Sequence, residues 1–261
     1  MVKIFDTHAH YDDEAFDEDR YELLDLMPAN GVKKICNIGV DIPTSKATID
    51  LCKRYDFMYG VIGFHPSETY EITDDELEIV MDTLEKMISE NEKIVAVGEI
   101  GLDYHYPDTN SEVQKKWYKA QLNLAKKLNM PVVIHSRDAA ADTMEIMKEL
   151  KADEIGGVVH CYSYSAEMAV EYVNMGFYIG VGGVITFKNG RKLKETVERI
   201  PIEKVVLETD SPYLSPEPNR GKRNSSVTLT EVAKEIAKLK GLSEDEVYEI
   251  TWNNAHRLYK I

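Results

Sequence analysis

Ile4-Phe5-Asp6-Thr7-His8-Ala9-His10 is the stretch on which the reading turns: a short apolar run ending in two histidines one residue apart. Side chains at i and i+2 of a strand point to the same side. A strand over 2–7 therefore predicts His8 and His10 projecting together from its C-terminal end. Two imidazoles placed there suit a metal ion. The pair alone is a weak signal, because an ordinary polar pair near the start of a chain is spelled the same way. It gains weight because later apolar runs also stop at His, Glu or Asp.

Those runs alternate with amphipathic stretches along the chain. Strand-like segments fall at 2–7, 34–40, 57–64, 93–98, 131–134, 157–159, 177–181 and 204–207. Helical spacing covers 21–28, 45–55, 139–151, 166–175, 191–200 and 227–239. Capping boxes predict three further helix starts. Thr73-Asp74-Asp75-Glu76 opens a helix to residue 89, Ser111-Glu112-Val113-Gln114 one to residue 128, and Ser243-Glu244-Asp245-Glu246 the last. Strands with helical crossovers predict a parallel sheet, and eight units predict an α/β fold closed as a (β/α)8 TIM barrel, one domain over 1–261. An open doubly wound sheet is the alternative, but no Gly-x-Gly-x-x-Gly follows the first strand to support a nucleotide-cofactor version.

The chain has 261 residues, 43% of them hydrophobic, which suffices for one large core. The net charge of −15 argues against broad duplex binding through a basic face. It leaves room for a phosphate substrate in a pocket that bound cations make locally positive. No apolar run reaches the roughly 18 residues of a membrane span. The start lacks a secretory leader, and Cys36, Cys52 and Cys161 are few and irregularly spaced, as expected of unbridged thiols. A cytoplasmic protein without a membrane partner is the expectation.

On a barrel, His8 and His10 end strand one, Glu99 strand four, His135 strand five, His160 strand six and Asp210 strand eight. Successive candidates are separated by close to one repeat of about 30 residues per strand advanced. C-terminal strand ends converge on one mouth. Six ligands exceed the needs of one catalytic ion, and a carboxylate can bridge two. His8, His10, Glu99 and Asp210 are therefore expected around one divalent ion, and Glu99, His135 and His160 around another. A single ion with Glu99 outside its shell is the simpler alternative.

The motifs resemble those of the TatD family: Asp6-Thr7-His8-Ala9-His10, Gly63-Phe64-His65-Pro66, Gly98-Glu99-Ile100-Gly101-Leu102-Asp103-Tyr104, His135-Ser136-Arg137-Asp138-Ala139, His160-Cys161-Tyr162-Ser163 and Glu208-Thr209-Asp210-Ser211-Pro212-Tyr213-Leu214. The resemblance runs in order from Asp6 to about Asn254. It implies a TIM-barrel metal-dependent hydrolase of the amidohydrolase superfamily. It also implies deoxyribonuclease activity, described as 3′ to 5′ exonuclease action on single-stranded DNA ends. The family's metal ligands fall on the same six residues. After Arg220-Gly221-Lys222-Arg223-Asn224 many members continue with Glu-Pro, where this chain has Ser225-Ser226.

Two divalent ions, Mg, Mn or Zn, would activate water and polarise a phosphoryl oxygen. Asp210 is the expected general base and Glu99 the bridging carboxylate. His65, Arg137, Arg220 and Arg223 are the expected substrate-binding residues. The competing reading of Arg137 is an ion pair with Glu208, and that of Arg220 and Arg223 a solvated loop. Asp103 is expected to orient a ligand. Tyr104, Tyr162 and Tyr213 suit either base stacking or packing. Asn224-Ser225-Ser226 spells a glycosylation acceptor. The alternative activity is metal-dependent hydrolysis of amides or esters, for example of an aminoacyl ester. His135 stands where related barrels often carry a lysine, which favours phosphodiester chemistry. A non-catalytic metal-binding scaffold is the third reading.

Overall fold

The computed structural model describes residues 2–261. Eight parallel strands pair in chain order: β1 (Ile4–Ala9), β2 (Val32–Gly39), β3 (Met58–Ile62), β4 (Ile94–Asp103), β5 (Val132–Arg137), β6 (Gly157–Val159), β7 (Tyr178–Val181) and β8 (Val205–Leu207). A parallel bridge from Ala9 to Ser211 joins the two ends, giving a (β/α)8 TIM barrel. The helices are α1 (Arg20–Leu26), α2 (Ile42–Arg54), α3 (Asp74–Ser89), α4 (Ser111–Leu128), α5 (Ala140–Glu149), α6 (Ala166–Asn174), α7 (Arg191–Arg199), α8 (Leu229–Lys240) and α9 (Glu244–Tyr259). None among the described residues is long and apolar enough to cross a membrane.

Thr73 and Ser243 form the expected reciprocal capping boxes with Glu76 and Glu246. The box at Ser111 is not formed. Asn110 caps α4 instead, accepting from the Val113 amide. Gln114 is drawn inward, where it accepts from Asp103 N (2.9 Å) and donates to the Pro66 carbonyl (3.2 Å). Two helical turns on, the Gln121 amide grips Phe64 through both its N–H and its carbonyl. Burial of these two amides outweighs local capping, and it fixes the loop that carries His65. An unforeseen box, Asp41 with Thr44, opens α2.

Two apolar layers sandwich the sheet. The larger lies between strands and helices. The smaller fills the barrel lumen with Phe5, Cys36, Val61, Val95, Val133, Val158 and Val206. Ala255, Leu258 and Tyr259 of α9 close this layer, and the Tyr259 hydroxyl donates to the Thr7 carbonyl at 2.8 Å. Since side chains alternate along a strand, the inward positions two residues beyond Val133, Val158 and Val206 belong to His135, His160 and Glu208. The apolar floor thus sets the height at which polar groups begin.

Three strands run further at their C-terminal ends than the sequence pattern suggests, β1 by two residues to Ala9, so that His8 lies within it. β4 continues through Glu99 to Asp103 and β5 through His135 to Arg137, so Glu99 lies within its strand and not at its end. The extensions of β4 and β5 are paired, Gly101 with His135 and Asp103 with Arg137. Backbone pairing does not require apolar side chains, which is why hydrophobicity stops short. Gly101, at φ +147°, admits this closeness: a Cβ there would collide with the His135 carbonyl.

Candidate metal centre

Four histidines and two carboxylates converge at the C-terminal mouth, and Glu99 lies at their centre. Its two oxygens face different partners. Oε2 is 3.3 Å from His8 Nε2 and 3.9 Å from His10 Nε2. Oε1 is 2.9 Å from His160 Nε2 and 2.7 Å from His135 Nδ1. Asp210 Oδ1 lies 3.4 Å from His10 Nε2 and 3.7 Å from His8 Nε2. Donor atoms of His8, Glu99 and His160 form one compact set, and those of His8, His10 and Asp210 a second.

The second nitrogens of His10, His135 and His160 support this arrangement, while that of His8 is buried without a hydrogen-bond partner. His10 Nδ1 is 3.1 Å from the Ile38 carbonyl. A carbonyl only accepts, so Nδ1 carries a proton, and Nε2, the nitrogen left to bind a cation when the ring is neutral, points inward, 3.2 Å from His8 Nε2. His135 Nε2 meets Asp103 Oδ2 at 3.1 Å. Beneath His160, Glu208 Oε1 lies 3.5 Å from Nδ1 and accepts from Cys161 N at 2.5 Å. A carboxylate or carbonyl behind an imidazole is the arrangement that orients metal-binding histidines. The donor set therefore fits a divalent ion, and His8, His10, Glu99, His135, His160 and Asp210 are the residues that would hold it.

The imidazoles and carboxylates also shift one another's protonation. Burial tends to raise the Glu99 carboxyl, yet His160, His8 and His65 hold it well below the usual range. Burial tends to lower His10, yet its bond to Asp210 and that charge lift it to about 9. His160 is raised by Glu99 and Glu208 against burial. Burial and neighbouring His160 lower His8.

His65 also faces the site, its Nε2 3.7 Å from Glu99 Oε1. The Ser67 backbone N–H (3.1 Å) and hydroxyl (2.7 Å) surround Nδ1. The backbone N–H donates to Nδ1, while the hydroxyl donates to Glu68 Oε1 at 2.9 Å, which leaves the ring proton on Nε2, facing the basin. Burial and His135 push His65 down to about 3, so it stays neutral. His65, Asp103 and His135 form a third compact set. In this tautomer, however, His65 offers a donor there and not a lone pair.

Above these groups opens a basin of about 680 Å³. Arg137 lines it, exposed, with its guanidinium 5.9 Å from the Tyr106 ring. It does not pair with Glu208, which is buried under His160. Arg220 and Arg223 are not among the basin's lining residues. Arg220 lies 4.2 Å over the Phe187 ring, and Arg223 clasps Asp19 with two hydrogen bonds. Tyr213 is exposed at the rim, whereas Tyr104 donates to Asp142 and Tyr162 is buried with its hydroxyl on the Ser165 carbonyl. Neither Tyr104 nor Tyr162 is placed to stack on a ligand. Asn224 is buried, and its amide donates to the Thr209 and Tyr213 carbonyls, which closes it to glycosylation.

Sequence reasoning did not find Glu208 or Asp6. Asp6 accepts from His8 N, Thr209 N and the hydroxyls of Thr209 and Ser226. It thereby ties β1 to the segment carrying Asp210. Asp6 and Glu208 adjoin ligands in the chain, and that adjacency was the available signal.

A TIM barrel whose mouth gathers imidazoles and acids around one carboxylate defines a class, the metal-dependent hydrolases. Residues 5–260 match the family model described as TatD related DNase, and the chain belongs to the TatD family. The chain is 42% identical to the "uncharacterized metal-dependent hydrolase YabD" of Bacillus subtilis over 99% of both chains. It is 33% identical to YcfH of Escherichia coli, over 99% of this chain and 96% of that one. The crystal structure of YjjV, a TatD homolog from Escherichia coli, superposes with a TM-score of 0.90 at 30% identity, covering 99% of this chain and 98% of that one.

Proposed function

We propose that this hydrolase cleaves phosphodiester bonds of DNA, removing nucleotides from single-stranded ends in the 3′ to 5′ direction with two divalent ions, Mg, Mn or Zn. The observation that carries the reading is the divided carboxylate of Glu99. One oxygen faces His8 and His10, the other His135 and His160. That division suits a carboxylate shared by two cations, of which His8, His10 and Asp210 would help hold one and His135 and His160 the other. The description of the matching family points to the same substrate.

Ions held by these residues would lower the pKa of bound water and polarise a phosphoryl oxygen. Asp210, partly open to the basin, takes the proton from the attacking water. As the new P–O bond forms, the bond to the departing nucleoside oxygen breaks, and that oxygen takes a proton from solvent. His65 Nε2–H donates to a non-bridging phosphate oxygen. Arg137 reaches a phosphate as a two-pronged donor. Arg220 and Arg223, held on the outer loop, contribute only to longer-range attraction.

The test is digestion of end-labelled single-stranded DNA with each metal, beside a panel of aminoacyl and aryl esters. Loss of nucleotides from the 3′ end supports the reading. Turnover of esters with intact DNA overturns it. Asp210→Asn should keep the metal and lose turnover by a factor of about 10²–10⁴.

A further inference from the structure

The basin is electrically lopsided. Asp12, Asp13 and Glu14 follow one another on its β1 side, and Tyr106 and Arg137 stand on its β4–β5 side. In the ring, β5 lies four strands from β1 in either direction, so the two walls face each other across the mouth.

Among the described residues no arginine side chain forms an ion pair with Asp12, Asp13 or Glu14. Arg20 pairs with Asp17 at 2.6 Å and otherwise donates to backbone carbonyls, including those of Asp12 and Asp13. Arg223 pairs with Asp19. The wall is also held in place. Asp12 accepts from Asn37 at 2.7 Å, while Asp13 accepts from Ala15 N and from the Tyr213 hydroxyl at 2.9 Å. Across the basin the positive charge of Arg137 lies near the ring of Tyr106, which is 58% exposed.

A polynucleotide carries one negative charge per residue. A strand crossing the whole basin would have to pass a phosphate over Asp12, Asp13 and Glu14, whereas a strand that ends inside it would not. On the other side an arginine and an open aromatic face suit a phosphate and a base.

We propose that a single strand enters the basin end-first and leaves it only across Tyr106 and Arg137, the Asp12–Asp13–Glu14 wall restricting cleavage to termini. This rests on the phosphodiesterase reading above and adds the path of the strand and the residues that select its end.

The full chain, loaded with divalent metal, is assayed on a short linear single strand, on the same sequence closed into a circle, and on bis(p-nitrophenyl) phosphate. The wild type cuts the circle about 100-fold more slowly than the linear strand, and Glu14→Lys raises the circle-to-linear ratio about tenfold. Tyr106→Ala and Arg137→Gln raise KM for the linear strand at least about tenfold relative to their effect on the small diester, which has no strand to lose. Equal cutting of circle and linear strand by the wild type overturns the proposal. An unchanged ratio in Glu14→Lys does so too, as do equal effects of the Tyr106 and Arg137 variants on both linear substrates. Hydrolysis of the small diester with both DNAs intact removes the strand path but leaves the diester chemistry. No diester hydrolysis at all removes both.

Discussion

Gly180 on β7 lies against the carboxylate of Glu208, so close that a Cβ at position 180 would overlap both carboxylate oxygens. The missing side chain makes the niche in which Glu208 sits behind His160.

Gly180→Ala should therefore displace Glu208 and free the His160 ring. Divalent-metal affinity, measured by calorimetric titration, should fall about 10–100-fold, the usual cost of losing a carboxylate behind a metal-binding histidine. Glu208→Gln should lose less, because its amide oxygen can still face Nδ1. Wild-type affinity in Gly180→Ala would show that the niche does not act on the metal.

Removal of cations should leave Glu99 and Asp210 compensated only by histidine protons. Returning Mn²⁺ or Zn²⁺ to the stripped chain should raise Tm, approaching about 2.7 kcal/mol of added stability at a hundredfold excess over Kd. His8→Ala, which removes a member of two of the three compact donor sets, should abolish most of that rise. A cation-independent melting curve in the wild type would contradict the site.

Tyr259→Phe should destabilise the fold without touching the mouth. It deletes the hydroxyl that donates to the Thr7 carbonyl under the barrel floor. The expected loss is about 1 kcal/mol, a drop in Tm of about 2–4 °C. Metal affinity should be retained.

The clasp between Asp19 and Arg223 should show in a proton titration. Its hydrogen bonds to Arg223 hold the Asp19 carboxyl below the ordinary 3.8. A carboxyl depressed in the folded state supports folding above its unfolded value and loses that support as pH falls through its folded one. The clasp should thus be intact from about pH 4 upward and open in stronger acid. By NMR, the Asp19 midpoint should lie below 3.8 and return toward it in Arg223→Gln.

The barrel was legible because its signals are local and repeated. The boxes at Thr73 and Ser243 involve residues three apart, and His135 and His160 follow apolar runs of their own. The Ser111 box failed because Gln114 has a better use inside the fold, tying Asp103 to Pro66. Arg223 looked like a phosphate binder because its partner Asp19 is 204 residues away. Glu208 stayed hidden for the same reason, since the amide it accepts from is 47 positions upstream. Tyr106 sits in an irregular loop where no periodicity marks a side chain as facing the mouth. Residues that hold the candidate ligands were harder to read than the ligands, because their partners are set by folding and not by spacing.

The barrel's first and last strands are buckled together at the place where the donor groups gather. The His8 carbonyl accepts from Asp210 N at 2.9 Å, and Asp6 holds the hydroxyls of Thr209 and Ser226. Prising β1 from β8 would therefore carry His8 and Asp210 apart and dismantle the cup, whereas a gap opened between β2 and β3 would leave it whole. An ion held between His8 and Asp210 would add one more link across this join, so cation binding and closure of the barrel would reinforce each other.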